Sequence, residues 1–232
     1  MHEVLILSGA GLSAQSGLKT FRDSNGLWEE YDVMEVCSTQ GFRKDRQKVL
    51  NFYNKRRAQL KDVEPNFAHK TIAQIKAKFG DKISVLTQNV DDLLERAGCE
   101  DVVHLHGELT KLRCEKCGSV FEVGYEAQTG KICPMCKSDK IRHHIVMFGE
   151  LAPLYETLYQ RLEEAKLFVC IGTSGEVLNV ASYARMVGLS ILNNLESSRI
   201  DPYFTKCYIE PATTAAPKIA KNIENFIRFG QI

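Results

Sequence analysis

The chain has 232 residues, 44% of them hydrophobic and 25% charged, and its 30 Lys and Arg against 29 Asp and Glu leave a net charge of +1. That composition excludes an intrinsically disordered chain, and the charge balance excludes a global basic field for nucleic acid or an anionic membrane. The longest apolar runs, such as Leu167-Phe-Val-Cys-Ile171, fall far short of the roughly 20 residues that span a bilayer.

In chain order, Val4–Ser8 is a strand candidate that runs straight into Gly9-Ala-Gly11-Leu-Ser-Ala14. This G-x-G-x-x-A pattern fits a pyrophosphate cradle at the positive end of a following helix, or simply a flexible strand–helix turn. A dehydrogenase would set an acidic residue at the end of a second strand about 20 residues on. Residues 20–32 read as loop instead, so plain hydride transfer is disfavoured. Residues 30–62 form a polar, basic helical insert. Within it Tyr53 and Arg56 share a helix face, although Arg56 in Lys55-Arg-Arg57 reads on composition alone as part of a solvated face. Helix Asn66–Phe79, strand Ile83–Thr87, helix Val90–Ala97 and strand Val102–His104 come next. Beyond residue 145 the candidates are helix Leu154–Ala165, strand Leu167–Ile171, helix Val180–Val187, strands Ser190–Asn193 and Lys206–Ile209, and helix Pro217–Phe229. Strands alternating with helices predict a Rossmann-like parallel α/β sheet domain. Its large lobe spans 1–29, 63–109 and 146–232. The insert 30–62 and the segment 110–145 are excursions that pack together as a small lobe.

The segment 110–145 holds Cys114-x2-Cys117-x15-Cys133-x2-Cys136, inside the spacing window of a zinc ribbon. Two tight knuckles close a tetrahedron of thiolates, which leaves no open position and makes the Zn2+ structural. Two disulfides are the other chemistry such pairs allow. The chain's size, the absence of a signal peptide and the scatter of Cys37, Cys99, Cys170 and Cys207 favour zinc.

Several separated segments together resemble the sirtuins, the NAD-dependent protein-lysine deacylases, and in particular their bacterial desuccinylase/deacetylase subgroup. They are Gly9-Ala-Gly-Leu-Ser13, Gly17-Leu-Lys-Thr-Phe-Arg-Asp23 with Gly26-Leu-Trp28, Thr87-Gln-Asn-Val-Asp91 and His104-Leu-His-Gly-Glu108. The four Cys, Phe148-Gly-Glu150, Gly172-Thr-Ser174 and Asn194-Leu-Glu196 follow in the same order. The resemblance implies NAD+ as co-substrate. Gly9, Ala10, Gly11 and Ser13 would cradle its pyrophosphate, and Phe21, Arg22 and their loop, with Trp28, would close over the nicotinamide ribose. It further implies that Gln88 contacts that ribose while Asn89 and Asp91 line the carboxamide pocket. Gly172, Thr173 and Ser174 would bind phosphate and ribose, Asn194, Leu195 and Glu196 the adenosine ribose, and Ala212 the adenine. His106 would act as general base, a role that a pKa near 6.5 suits. His104, two residues earlier, is expected to be structural.

Tyr53-x-x-Arg56 resembles the subgroup that removes succinyl and malonyl groups, since a guanidinium can hold a terminal carboxylate in a bidentate pair. The small Ser24 would leave room for such a group. Leu94, Val177-Leu-Asn-Val180, His143 and Ile209-Glu210 depart from the family's usual residues. The competing readings are a protein ADP-ribosyltransferase and a non-catalytic ADP-ribose-binding zinc-ribbon module. The expected partners are acylated-lysine proteins rather than nucleic acid or membrane. The short N-terminus fits a compact bacterial-type, cytoplasmic protein, taken here as a monomer.

Overall fold

The computed structural model describes residues 3–18, 27–28 (backbone only) and 31–232. The elements in order are β1 (Val4–Ser8), β2 (Leu27–Trp28), β3 (Tyr31–Asp32), α1 (Val33–Val36), α2 (Thr39–Lys44), α3 (Arg46–Leu60) and α4 (Phe67–Phe79). They continue with β4 (Ile83–Thr87), α5 (Leu93–Arg96), β5 (Val102–His104), β6 (Gly107–Cys114), β7 (Val120–Glu122) and β8 (Ile141–Ile145). Last come α6 (Tyr155–Glu164), β9 (Leu167–Ile171), α7 (Val180–Val187), β10 (Leu189–Asn194), β11 (Lys206–Ile209) and α8 (Ala212–Phe229).

Among the described residues six strands pair in parallel in the order β11-β10-β9-β1-β4-β5. Because side chains alternate across a strand, each central strand feeds two cores. Val4, Ile6, Ile83, Val85, Val169 and Ile191 pack on one face with α4 and α8. Leu5, Leu7, Leu86, Phe168 and Leu192 pack on the other with α6 and α7. This is the Rossmann-like large lobe that the alternation of elements predicted. Among the described residues no helix is long and apolar enough to cross a membrane.

The small lobe is an antiparallel sheet in the order β7-β6-β8, with α1, α2 and α3 beside it. The sequence pattern concealed this sheet because a bulge between Glu108 and Leu112 shifts its register. That shift lets both Leu109 and Leu112, three apart, turn inward. The basic helix α3 also departs from its composition. Arg56 and Arg57 are buried, so the solvated-face reading of this segment is corrected.

Three further elements differ from expectation. The glycine loop continues into two 3-10 turns, Ala10–Leu12 and Ala14–Ser16, rather than an α-helix. The helix expected over 90–97 contracts to α5: Asp91 Oδ1 accepts from Leu93 N–H at 3.2 Å, an i to i+2 turn that occupies the chain just ahead of the N-cap Asp92. Helix α8 starts five residues before Pro217, since burial of Ala212, Ala215 and Ala216 in the core outweighs the hydrogen bond that proline forfeits.

Two buried histidines carry a pH signature. Asn66 caps α4, and its own N–H donates to His69 Nδ1 at 3.2 Å, so that nitrogen is unprotonated. Burial pushes His69 from 6.5 down to about 4, and burial with the neighbouring Arg57 and Arg142 pushes His143 down to about 2. Both folded values lie below the unfolded one, so under pH 6.5 the unfolded chain binds protons that the folded chain refuses. Stability is therefore lost as pH falls from 6.5 towards 4 for His69 and towards 2 for His143. Each histidine contributes a slope of up to about 1.4 kcal/mol per pH unit. Urea unfolding at pH 6.5 and pH 5 should show this loss, with a shallower slope in His143→Phe; an identical slope in the variant would contradict the assignment.

Candidate active site

The parallel strands end level, and their last residues are tied one step beyond the ladder. Gly9 N–H donates to Ile171 O at 2.9 Å, Gln88 N–H to Ser8 O at 2.9 Å and Gly172 N–H to Asn193 O at 2.8 Å. Ligands of open α/β sheets bind at this carboxyl edge. Here the glycine loop lies directly on the turn after β9. A Cβ on Gly11 would stand 2.7 Å from Gly172 Cα, and one on Gly172, at φ +67°, would stand 2.4 Å from Leu12 N. Both positions require glycine.

Around this contact several of the sequence-predicted residues meet. Ser13 is buried, and its hydroxyl donates to Asp91 Oδ2 at 2.9 Å while accepting from Asn89 Nδ2 at 3.0 Å. It also lies 3.2 Å from His69 Nε2, which donates because Nδ1 is already an acceptor. Burial raises the Asp91 carboxyl above its ordinary value, against the Leu93 and Ser13 hydrogen bonds that lower it. Ser13 thus has its side chain turned to Asn89 and Asp91, and His69 is a member of this network that sequence reasoning missed. Its one signal was a histidine three residues after a helix-capping asparagine.

Gln88 links the two halves of the edge, its Nε2 donating to Thr173 Oγ1 at 3.1 Å. Its backbone carbonyl accepts from His106 Nδ1 at 3.1 Å. A carbonyl cannot donate, so the neutral ring carries its proton on Nδ1 and a lone pair on Nε2. Burial lowers the His106 pKa, opposed by the Gln88 carbonyl, and the ring is neutral near pH 7. His106 Nε2 lies 2.9 Å from the Tyr155 hydroxyl at the start of α6, a second residue absent from the sequence reading. His104 points elsewhere, to Asn89 O at 2.9 Å and Glu95 Oε1 at 2.7 Å. Burial opposes its charged form, but the Glu95 hydrogen bond and charge outweigh that and raise its pKa.

At the far end of the edge Thr173 and Asn194 are buried, Ser174 is half-buried, and Leu195 and Glu196 are exposed just past β10. Ala212 opens α8, whose next residue, Thr213, donates to Gln15 Oε1 of the glycine loop from both N and Oγ1. The edge fits a dinucleotide on its own terms. Asn194 Nδ2 is a buried donor with no hydrogen-bond partner among the described residues, which a ribose or phosphate oxygen would satisfy. Phe21, Arg22 and Ser24 lie outside the described residues, as does the side chain of Trp28.

The insert is linked to His106 through the segment that follows β8. Val146 N–H donates to His106 O at 2.9 Å, and Phe148 pairs with the insert through Cys37 O at 2.8 Å and Thr39 N–H at 2.9 Å. Tyr53 packs in one cluster with Leu18, Cys37, Leu93 and Met147. Its hydroxyl hydrogen-bonds the Cys37 thiol, which burial pushes up to about 12 and so keeps neutral. Arg56 Nη1 donates to Gln59 Oε1 at 3.0 Å.

Cys114, Cys117, Cys133 and Cys136 place their sulfurs within 4.8 Å of one another, with Cys114–Cys136 and Cys117–Cys133 at 3.6 Å. A Zn–S bond of about 2.3 Å implies tetrahedral edges of about 3.8 Å, and disulfide sulfurs would lie about 2.05 Å apart. The four thiols fit one structural Zn2+. The residue after each second cysteine, Gly118 at φ +74° and Lys137 at φ +60°, takes the left-handed conformation that turns the knuckle.

Fold and site together define a nucleotide-binding α/β protein with a zinc-ribbon lobe and a neutral histidine held at its sheet edge. Residues 9–179 match the Sir2 family, and the chain belongs to that family. It is 60% identical, over the whole of both chains, to a protein of Campylobacter jejuni subsp. jejuni serotype O:2 named NAD-dependent protein deacylase. It is 38% identical to a protein of Escherichia coli K12 with the same name, over 99% of this chain and 85% of that one. Among solved structures, a Sir2 homologue–NAD complex aligns at TM-score 0.84 and 32% identity, covering 96% of this chain and 90% of that one.

The Tyr155 contact generates a direct prediction. The phenol donates to the lone pair of the neutral imidazole, so it stabilises the uncharged ring. In Tyr155→Phe an NMR titration of His106 should give a higher pKa than in the wild-type chain; an unchanged value would show that the hydrogen bond is not made in solution.

Proposed function

We propose that the chain is an NAD-dependent protein-lysine deacylase that removes succinyl and malonyl groups as well as acetyl. The observation that carries this reading is the His106 imidazole, fixed by the Gln88 carbonyl so that Nε2, where the Tyr155 hydroxyl donates, is the ring's proton-accepting atom, beside the Ser13–Asn89–Asp91 network. On this reading Gly9, Ala10 and Gly11 approach the pyrophosphate through backbone, and Thr173, Asn194 and Glu196 hold the adenosine side. Asn89 and Asp91 hold the carboxamide, and Gln88 orients the adjoining ribose next to His106. NAD+ would supply an electrophilic ribose carbon, to which the acyl-lysine oxygen would bond as the bond to nicotinamide breaks; capture of the acyl carbon by a ribose hydroxyl and addition of water would then release free lysine and leave the acyl group on ADP-ribose. His106 takes the proton of the ribose hydroxyl that captures the acyl group, which needs a neutral ring and hence its depressed pKa. The partners are acylated proteins, held along the segment around Phe148–Leu151, where Leu151 is 95% exposed.

Tyr53 and Arg56 supply the acyl selectivity. A guanidinium held in a nearly dry pocket forms a strong bidentate pair with a carboxylate, whereas it gives an acetyl methyl nothing. The test compares succinyl- and acetyl-lysine forms of one peptide with the wild-type chain and Arg56→Met. Succinyl kcat/KM should fall about 10- to 100-fold while acetyl turnover survives, the range expected for losing a charged hydrogen-bonded pair. Parallel losses on both peptides would withdraw the acyl assignment.

A further inference from the structure

Helix α3 carries Tyr53 and Arg56, but Asn54 and Arg57, one position on from each, face the zinc lobe. Arg57 is fully buried and donates to three carbonyls: Nε to Leu109 O, Nη1 to Glu126 O at 3.0 Å and Nη2 to Lys111 O at 3.0 Å. Leu109 and Lys111 lie on β6, which begins next to His106 and ends on the zinc ligand Cys114. Asn54 makes a second clamp. Its Oδ1 accepts from Gln128 N–H at 2.8 Å and lies 3.0 Å from His143 Nε2. A backbone N–H only donates, so Oδ1 is the acceptor and His143 Nε2 must carry the proton. The neutral His143 ring, 1% exposed, then lies against Tyr53 with ring centres 5.5 Å apart. Gln128 in turn donates to Ile141 O at 3.0 Å, on the strand that carries His143.

We propose that Asn54, Arg57 and His143 are positioning residues for acyl selectivity, making the zinc ribbon the frame that sets where Tyr53 and Arg56 stand. The inference rests on the acyl-reading role given above to those two residues. Its physical basis is a difference in tolerance. A bidentate guanidinium–carboxylate pair loses most of its strength when one partner shifts by about 1 Å, whereas the apolar contact of an acetyl methyl is non-directional. Loosening the clamps should therefore reach the acidic acyl group first. A helix fixed only for the sake of the fold would instead affect both substrates alike.

The test uses the full zinc-loaded chain and the variants Asn54→Ala, His143→Phe and Arg57→Lys, measuring kcat and KM on succinyl- and acetyl-lysine forms of one peptide, with bound zinc assayed in parallel. KM for the succinyl peptide should rise about tenfold or more, acetyl kcat/KM should stay within about threefold, and zinc should remain at one per chain. Equal losses on both peptides, or no change on either, would overturn the proposal. Arg57→Lys replaces a buried fork, so if it folds poorly, Asn54→Ala at the half-buried clamp carries the decision. Arg56→Met is run alongside. If that variant keeps succinyl turnover, the acyl reading itself fails; if it is selective while Asn54→Ala is not, the positioning inference alone falls.

Discussion

The site depends on one constraint, the level parallel register of β9, β1 and β4. Ser8, Thr87 and Ile171 are register partners, and each is followed at once by a residue of the site: Gly9, Gln88 and Gly172. The ladder's hydrogen bonds run one residue past the strands, so those three turns start from a common level. A two-residue slip, the smallest that preserves the buried faces, would move a turn by about 7 Å. Gly11 could not then meet Gly172, nor Gln88 reach Thr173. The apolar cores on both faces of the sheet thus hold the site's geometry, although they lie well away from it.

A second coupling runs through the chain after β5. From His104 to Cys114 the backbone passes from a buried, hydrogen-bonded histidine, through the proposed base His106, into the zinc ribbon. Arg57 grips the middle of this run. Burying a guanidinium costs several kcal/mol unless its hydrogen bonds are met, and here three carbonyls meet them while burial lowers its pKa only to about 10. The small lobe therefore fixes α3, which carries Tyr53 and Arg56, relative to β6, the strand that follows His106.

The central strands were legible in the sequence because each is a short continuous apolar run with the period of a two-faced sheet. The four cysteines were legible because metal spacing is local. What escaped had non-local causes. Strand β6 was hidden by its bulge, and the start of α8 by a tertiary core that overrides Pro217. The fate of Arg57 was hidden because no local pattern separates a buried guanidinium from its solvated neighbour Lys55. His69 and Tyr155 reach Ser13 and His106 across 56 and 49 residues of chain, separations at which spacing carries no signal. The glycine loop fell between these cases: its glycines were read as allowing close approach to pyrophosphate, and the approach that the fold displays is to the protein's own Gly172 turn.

In the proposed reaction His106 serves the step by which the acyl group leaves lysine for ADP-ribose. Mass spectrometry of the products tests it most directly, with the chain, NAD+ and one succinyl-lysine peptide. Nicotinamide, free-lysine peptide and O-succinyl-ADP-ribose are expected in equal amounts. Nicotinamide release with the peptide still succinylated, together with ADP-ribose attached to protein, would contradict it and make the chain an ADP-ribosyltransferase.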